Sequence, residues 1–95
     1  MYASVIEFHF KPGSIQAAMD HARALRPQLE QVDGLNQIIS IDRGGDRGTT
    51  IVIYDSKAQR EAAADKAQAI LAGMAEFLAA PPDRQGFEIL MNDKF

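Results

Sequence analysis

Two polar side chains in the segment SVIEFHFKPG, residues 4–13, are the first candidates for chemistry in this sequence. Glu7 and His9 lie two residues apart in an alternating segment. On a β-strand that spacing places both side chains on one face, with Cβ atoms roughly 6–7 Å apart. A carboxylate beside an imidazole suits proton transfer, because histidine changes its charge near neutral pH. In this interpretation His9 is a general base that Glu7 tunes.

The same alternation also supports a structural interpretation of the pair. Ile6, Phe8 and Phe10 form the apolar face of the strand, and an apolar face is expected to pack against helices. Glu7 and His9 then point away from the helices, where they can pair with charged neighbours. The pattern favours this second interpretation.

His21 and Tyr54 are two further candidates for chemistry at a pocket. His21 lies between the apolar and polar faces of a predicted helix, where a histidine is most often solvated but can accept a proton. Tyr54 follows the apolar run IVI, and its hydroxyl can donate to a substrate oxygen or bond to backbone or water. The two histidines predict no metal site, because they lie on separate elements and no third ligand accompanies them at a recognisable spacing.

Four predicted strands and two predicted helices position these residues. The strands are typical alternating or β-branched runs, at residues 2–11, 35–43, 49–55 and 86–92. Apolar residues at helical spacing predict one helix from an N-cap at Ser14 to the stop at Gly34, with a kink at Pro27. The second helix is predicted from an N-cap at Ser56 to Pro81-Pro82. The GGDRG segment predicts a hairpin turn in which glycines adopt positive φ angles.

The order βαββαβ predicts a single α+β domain, residues 1–95, with a ferredoxin-like fold. Its antiparallel sheet has the strand order 4-1-3-2, and both helices cover one face. The other face still carries Val5, part of the segment 38–41 and Ile51 or Val52. Because large apolar patches usually mark interfaces, we expect a homodimer that packs sheet against sheet.

Composition excludes several classes of partner. The net charge is −3, and no basic stripe is present beyond Arg43 and Arg47 in one turn, so we expect no nucleic acid. The most apolar run, residues 69–80, contains Glu76 and is too short to span a bilayer, so we expect no membrane insertion. A strand that starts within two residues of Met1 leaves no room for a signal peptide, and a cytoplasmic location is expected.

Several features together resemble the antibiotic biosynthesis monooxygenase-like family of the dimeric α/β barrel superfamily. They are the first strand ending in FKPG, the segment RPQLEQVDGL, and the hairpin that runs into YDS and a helix. The resemblance implies a ferredoxin-like protomer, a dimer that closes a barrel, and a ligand pocket between sheet and helices. It also implies chemistry without metal or flavin, in which a deprotonated aromatic substrate itself reduces dioxygen.

The heme-degrading branch of the superfamily is disfavoured. That branch pairs an Asn on the first strand with a Trp at the end of the third strand and a His on the second helix. The KPG anchor places Ile6 at the Asn position, and Tyr54 falls at the Trp position. Residues 56–80 contain no histidine, and the chain contains no tryptophan.

Two functions remain open at this stage, neither with a cofactor. The first is a small monooxygenase acting on an aromatic or quinol-like molecule, with Tyr54, His21 or His9 as catalytic candidates. The second is a non-catalytic dimeric barrel that binds a small apolar ligand or has an accessory or stress role. The predicted ligand-binding residues are those of the helix-facing strand positions and the helical core: Ile6, Phe8, Phe10, Met19, Tyr54, Met74 and Phe77. Each of these can also be a plain core residue.

Overall fold

The strands form where side chains alternate, and the helices form where apolar residues recur at helical spacing. The computed structural model describes residues 1–95. Its elements, in chain order, are β1 (Tyr2–His9), α1 (Ile15–Ala24), α2 (Arg26–Leu29), β2 (Leu35–Gly44), β3 (Arg47–Tyr54), α3 (Lys57–Ala62), α4 (Ala64–Gly73), a 3₁₀ turn (Ala75–Phe77) and β4 (Asp83–Glu88). No helix has both the length and the apolar character needed to cross a membrane.

The four strands form one antiparallel sheet in the order β2-β3-β1-β4, which is the predicted order. β1 lies inside the sheet, and its Ile6 has Thr50 of β3 on one side and Arg84 of β4 on the other. The β2–β3 turn has positive φ angles at Gly44, Gly45 and Asp46, so the glycines of GGDRG have the predicted role.

The first predicted helix is divided by its proline. α1 ends at Ala24 and α2 starts at Arg26, with Pro27 in the first turn of α2. Because the proline ring crowds the carbonyl four residues earlier, the expected kink becomes a complete break. Ser14 is the N-cap residue of α1, but its side chain makes no capping hydrogen bond, which corrects the predicted role of its hydroxyl.

The second predicted helix is also divided, at Ala63 and Met74. Its start is as predicted, because the Ser56 hydroxyl accepts a hydrogen bond from the Gln59 amide at 3.2 Å. The segment therefore follows the sheet in three short pieces, α3, α4 and the 3₁₀ turn.

β4 begins at Asp83 and ends at Glu88, whereas the sequence predicts 86–92. Pairing with β1 sets these limits. Asp83 pairs with Glu7 and Glu88 pairs with Tyr2, and the Ile89 amide donates to the Met1 carbonyl at 3.1 Å. The strand therefore includes Arg84, which the prediction leaves out.

The buried core lies between β1 and the helical segments. It consists of Ile6, Phe8, Phe10, Ala18, Met74 and Leu78. The Phe10 ring lies so close to Gly48 that a Cβ there would come within 2.9 Å of Cε2 of the ring. Only 12 of the 95 residues are buried, so the layer between sheet and helices is not filled by side chains.

Candidate functional site

A cavity of about 800 Å³ lies between the helix-covered face of the sheet and the helical segments. Hydrophobic residues make up 19 of its 29 lining residues. This volume is in the range of small-molecule sites, which are usually apolar with a few polar groups. The cavity is therefore large enough for an aromatic ligand.

Strand alternation supplies the floor of the cavity. Ile6, Phe8 and Phe10 project from β1 and line it, and Met19 of α1 and Met74 after α4 face them. These five residues are predicted ligand contacts, and the structure brings all of them to one space.

Phe77 does not line the cavity, although it is among the predicted ligand contacts. It belongs to the 3₁₀ turn, and its ring lies 5.5 Å from the ring of His21. The turn directs Phe77 to the outer part of the core, where it packs against the buried cluster.

Tyr54 is the one candidate for chemistry that lines the cavity. It is 4% exposed and ends β3 beside Tyr2 of β1. Its hydroxyl takes part in none of the side-chain hydrogen bonds of the protein. The hydroxyl oxygen is also not among the buried polar atoms without a partner, because Arg84 Nη2 is the only such atom. The hydroxyl therefore has no hydrogen-bond partner within the protein and is available to a ligand.

The two histidines lie outside the cavity lining. His21 packs on Phe77, and its Nε2 lies near Gly73 of α4. His9 pairs with Arg47 in the sheet, on the face turned away from the helices. Neither imidazole is placed to take a proton from a molecule in the cavity.

Glu7 belongs to a chain of hydrogen bonds on the sheet face that no helix covers, which we call the open face. Its Oε2 accepts from the Thr49 hydroxyl at 2.8 Å, and the Thr49 oxygen accepts from Arg43 Nη1 at 3.1 Å. Glu7 therefore contacts Thr49 rather than His9, and the structure offers no Glu7–His9 catalytic pair.

Sequence reasoning missed three polar residues of the cavity floor: Ser40, Thr50 and Arg84. The Ser40 and Thr50 hydroxyls hydrogen-bond to each other at 2.9 Å. Thr50 and Arg84 are the two cross-strand neighbours of Ile6. Polar groups thus flank the position at which the heme-degrading branch is expected to have Asn. The strand register is the signal that identifies Thr50 and Arg84. These two residues face the helices only when β3 and β4 pair with β1 in this register.

The protein has no group of three or more His, Cys, Asp or Glu side chains that could hold a metal ion. Apart from the Asp42 carboxylate, the polar side-chain atoms of the cavity lining are hydroxyls and cationic nitrogens, which bind organic oxygens by hydrogen bonds.

No protein-family model and no curated protein matches the chain, but solved structures do. The monooxygenase from the gene ActVA-Orf6 of Streptomyces coelicolor, in complex with Nanaomycin D, has a TM-score of 0.80 and 12% identity, covering 98% of this chain and 90% of that one. A candidate antibiotic biosynthesis monooxygenase from Bordetella bronchiseptica has a TM-score of 0.75 and 16% identity, covering 95% and 97%. MhuD, with two manganese protoporphyrin IX molecules per active site, has a TM-score of 0.79 and 16% identity, covering 100% of both chains. At these identities the likeness establishes the fold, which is the one expected from the resemblance.

Proposed function

We propose that the protein is a cofactor-independent monooxygenase that oxidises a small aromatic, quinol-like molecule in the cavity. The observation that carries the proposal is the apolar cavity of about 800 Å³ with Tyr54 among its lining residues. Apolar walls exclude water from an oxygen-reactive intermediate. The monooxygenase of Streptomyces coelicolor, with its bound Nanaomycin D, supports the proposal by its shared fold.

The reaction balances without an external reductant. An acidic CH₂ group of the substrate ring loses two hydrogens and gains one oxygen atom of O₂, and the other oxygen atom leaves as water. The substrate supplies all four electrons. Tyr54 donates a hydrogen bond to the substrate oxygen on which negative charge develops, and such preorganised donors stabilise that charge.

The test is oxygen consumption with a panel of hydroxylated anthrones and quinols. We expect turnover in the wild type and a loss of about 10- to 1000-fold in kcat/KM in Tyr54→Phe, as for removal of one oxyanion donor. Tyr2→Phe is the matched control, because Tyr2 lies beside Tyr54 but does not line the cavity. Equal activity of the two variants would contradict the role of Tyr54.

A binding protein without chemistry is the second candidate. It is favoured by the absence of histidine from the cavity lining and by the single lining carboxylate, Asp42, which accepts a hydrogen bond from the Gly44 amide at 2.8 Å. In that case the aromatic panel binds stoichiometrically and no oxygen is consumed.

The residues of the cavity do not fit heme. The lining contains no histidine to ligate the iron, and we derive no step through heme for this chain. We expect that titrating heme with the protein leaves the Soret band of heme unshifted.

A homodimer through the open face of the sheet is part of the proposed function. Exposed large apolar side chains on that face are Ile39, Ile41 and Phe87, at 38%, 43% and 50% exposure. These residues come from both edge strands, β2 and β4. A second copy of this face is the occupant that would cover both edges at once.

A further inference from the structure

Arg84 is a cationic residue of the cavity floor whose guanidinium has no partner in the protein. Its Nη2 is the single buried side-chain nitrogen or oxygen that lacks a hydrogen bond. None of the four ion pairs includes Arg84. A buried charged donor without an acceptor is destabilising, and native proteins rarely leave one unpaired without a reason.

Arg60 shows how an arginine is satisfied in the same layer when its role is structural. Its Nε donates to the Ser4 hydroxyl at 2.7 Å, and its guanidinium lies over the Tyr2 ring at 5.8 Å. Arg84 has neither kind of contact, although it projects from the sheet face on which Arg60 of α3 packs. The difference points to an acceptor supplied from outside the chain.

The charges around the cavity favour an anion. Four cationic side chains on the helix-covered side of the sheet line it, against the single carboxylate of Asp42: Arg23, Arg26, Lys66 and Arg84. Arg23 and Arg26 are paired with Asp20 and Glu30, while Arg84 is not. The whole chain has a net charge of −3, so the positive lining is a local feature. Such a lining attracts anionic ligands.

We propose that Arg84 binds the carboxylate of an aromatic acid whose rings occupy the apolar part of the cavity. This inference rests on the proposed function in one respect, namely that the cavity binds a ligand. It adds that the ligand belongs to the class of aromatic acids. The planar guanidinium can accept a carboxylate in two parallel hydrogen bonds. Because the group is already partly desolvated, binding an anion costs it little further hydration.

Arg84 and Tyr54 lie at different ends of the cavity floor. Arg84 is opposite Ile6, while Tyr54 is opposite Tyr2, four residues earlier on β1 and on the strand at its other side. From strand spacing, their Cα atoms lie roughly 16 Å apart. An acid group held at Arg84 therefore leaves the rings extending towards Tyr54, and Arg84 determines specificity rather than touching the reacting carbon.

The test compares 2-anthracenecarboxylate with 2-anthracenecarboxamide, which have nearly the same shape and differ in charge. Both fluoresce, so titration of the full-length protein gives dissociation constants. For the wild type we expect the carboxylate to bind about tenfold or more tightly than the carboxamide, as charge-assisted hydrogen bonds predict. Arg84→Gln should remove this preference, Arg84→Lys should retain part of it, and carboxamide affinity should change less than about twofold.

Lys11→Gln is the control for net charge, because Lys11 is exposed and does not line the cavity. It should keep the wild-type preference. The inference is overturned if the wild type binds both probes equally, or if Arg84→Gln weakens both probes to the same extent, as loss of a structural arginine would. If Arg84→Gln fails to fold, equal binding of both probes by the wild type still overturns the inference, and a reduced preference in Arg84→Lys, which keeps the charge but not the paired hydrogen bonds, supports it. Binding of neither probe would overturn the proposed function as well, whereas binding of the carboxamide alone overturns only the role of Arg84.

Discussion

The two faces of the sheet differ in what covers them. On the helix-covered face, β1 contributes Ile6, Phe8 and Phe10, which are buried at 6%, 7% and 2% exposure. On the open face the same strand contributes Glu7, which is exposed. One face borders a cavity, and the other carries exposed apolar side chains on its edge strands. The contrast supports a different proposed partner for each face: a small molecule for the first, and a second copy of the chain for the other.

The largest expected effect is the loss of a core aromatic residue from the helix-covered face. Phe10→Ala should lower the free energy of unfolding by about 3–5 kcal/mol, because the ring is fully buried against Gly48 and the core cluster. Urea unfolding measures this, and the loss should be the same at low and high protein concentration.

Phe87→Ala is the matched substitution on the open face. At low protein concentration it should cost less than about 0.5 kcal/mol, as for an exposed position. The cost should rise with protein concentration, because Phe87 is buried only when a dimer forms. A loss that is equally large at every concentration would contradict the contrast between the faces.

The second prediction separates the faces within one strand. Ile38 and Ile39 are neighbours in β2 with similar exposures of 41% and 38%, but Ile38 lines the cavity and Ile39 pairs with Ile51 on the open face. Ile39→Lys should weaken the dimer by about a hundredfold or more, because each copy would bury a charge without a partner. Ile38→Lys should leave the dimer intact and weaken binding of aromatic probes.

Sedimentation velocity over a range of protein concentrations measures the change in assembly. Equal weakening of the dimer by both variants would mean that the open face is not the dimer interface. A wild type that is monomeric at every concentration would mean the same.

Much of this contrast could be predicted from the sequence. Alternation alone assigns Ile6, Phe8 and Phe10 to the helix-covered face, because side chains of a strand alternate strictly. The element order gives the sheet, and the predicted kink at Pro27, which the structure shows as a break between α1 and α2, follows from backbone chemistry. These are local properties, or consequences of a few known topologies.

The polar groups of the cavity could not be predicted in this way. The alternation of GFEILMN is strong, so the sequence predicts the last strand at 86, yet pairing with β1 starts it at Asp83. Only that register places Arg84 opposite Ile6. His21 is similar, because its direction depends on the contact with Phe77, which is distant in sequence. Both outcomes depend on tertiary contacts that no local pattern encodes.

The smallest expected effect concerns the hydrogen bonds from Arg43 through Thr49 to Glu7. Thr49→Val keeps the shape of the side chain and removes its hydroxyl, which is 2.8 Å from Glu7 Oε2. In a monomer Glu7 and Arg43 are exposed and water can replace the lost bonds, so the cost should stay below about 1 kcal/mol. In a dimer the same groups are covered, and the cost should rise to about 1–3 kcal/mol.

A double-mutant cycle measures that difference by introducing Thr49→Val into the wild type and into the Ile39→Lys background, which is expected to be monomeric. Ile39 is suitable because it pairs with Ile51, whereas Ile41 is the residue that pairs with Thr49. A coupling energy near zero would mean that the polar chain faces water in both backgrounds, and that a second copy does not cover this part of the sheet. A positive coupling would place Glu7 and Arg43 at the subunit interface, because only burial makes the loss of the Thr49 hydroxyl costly.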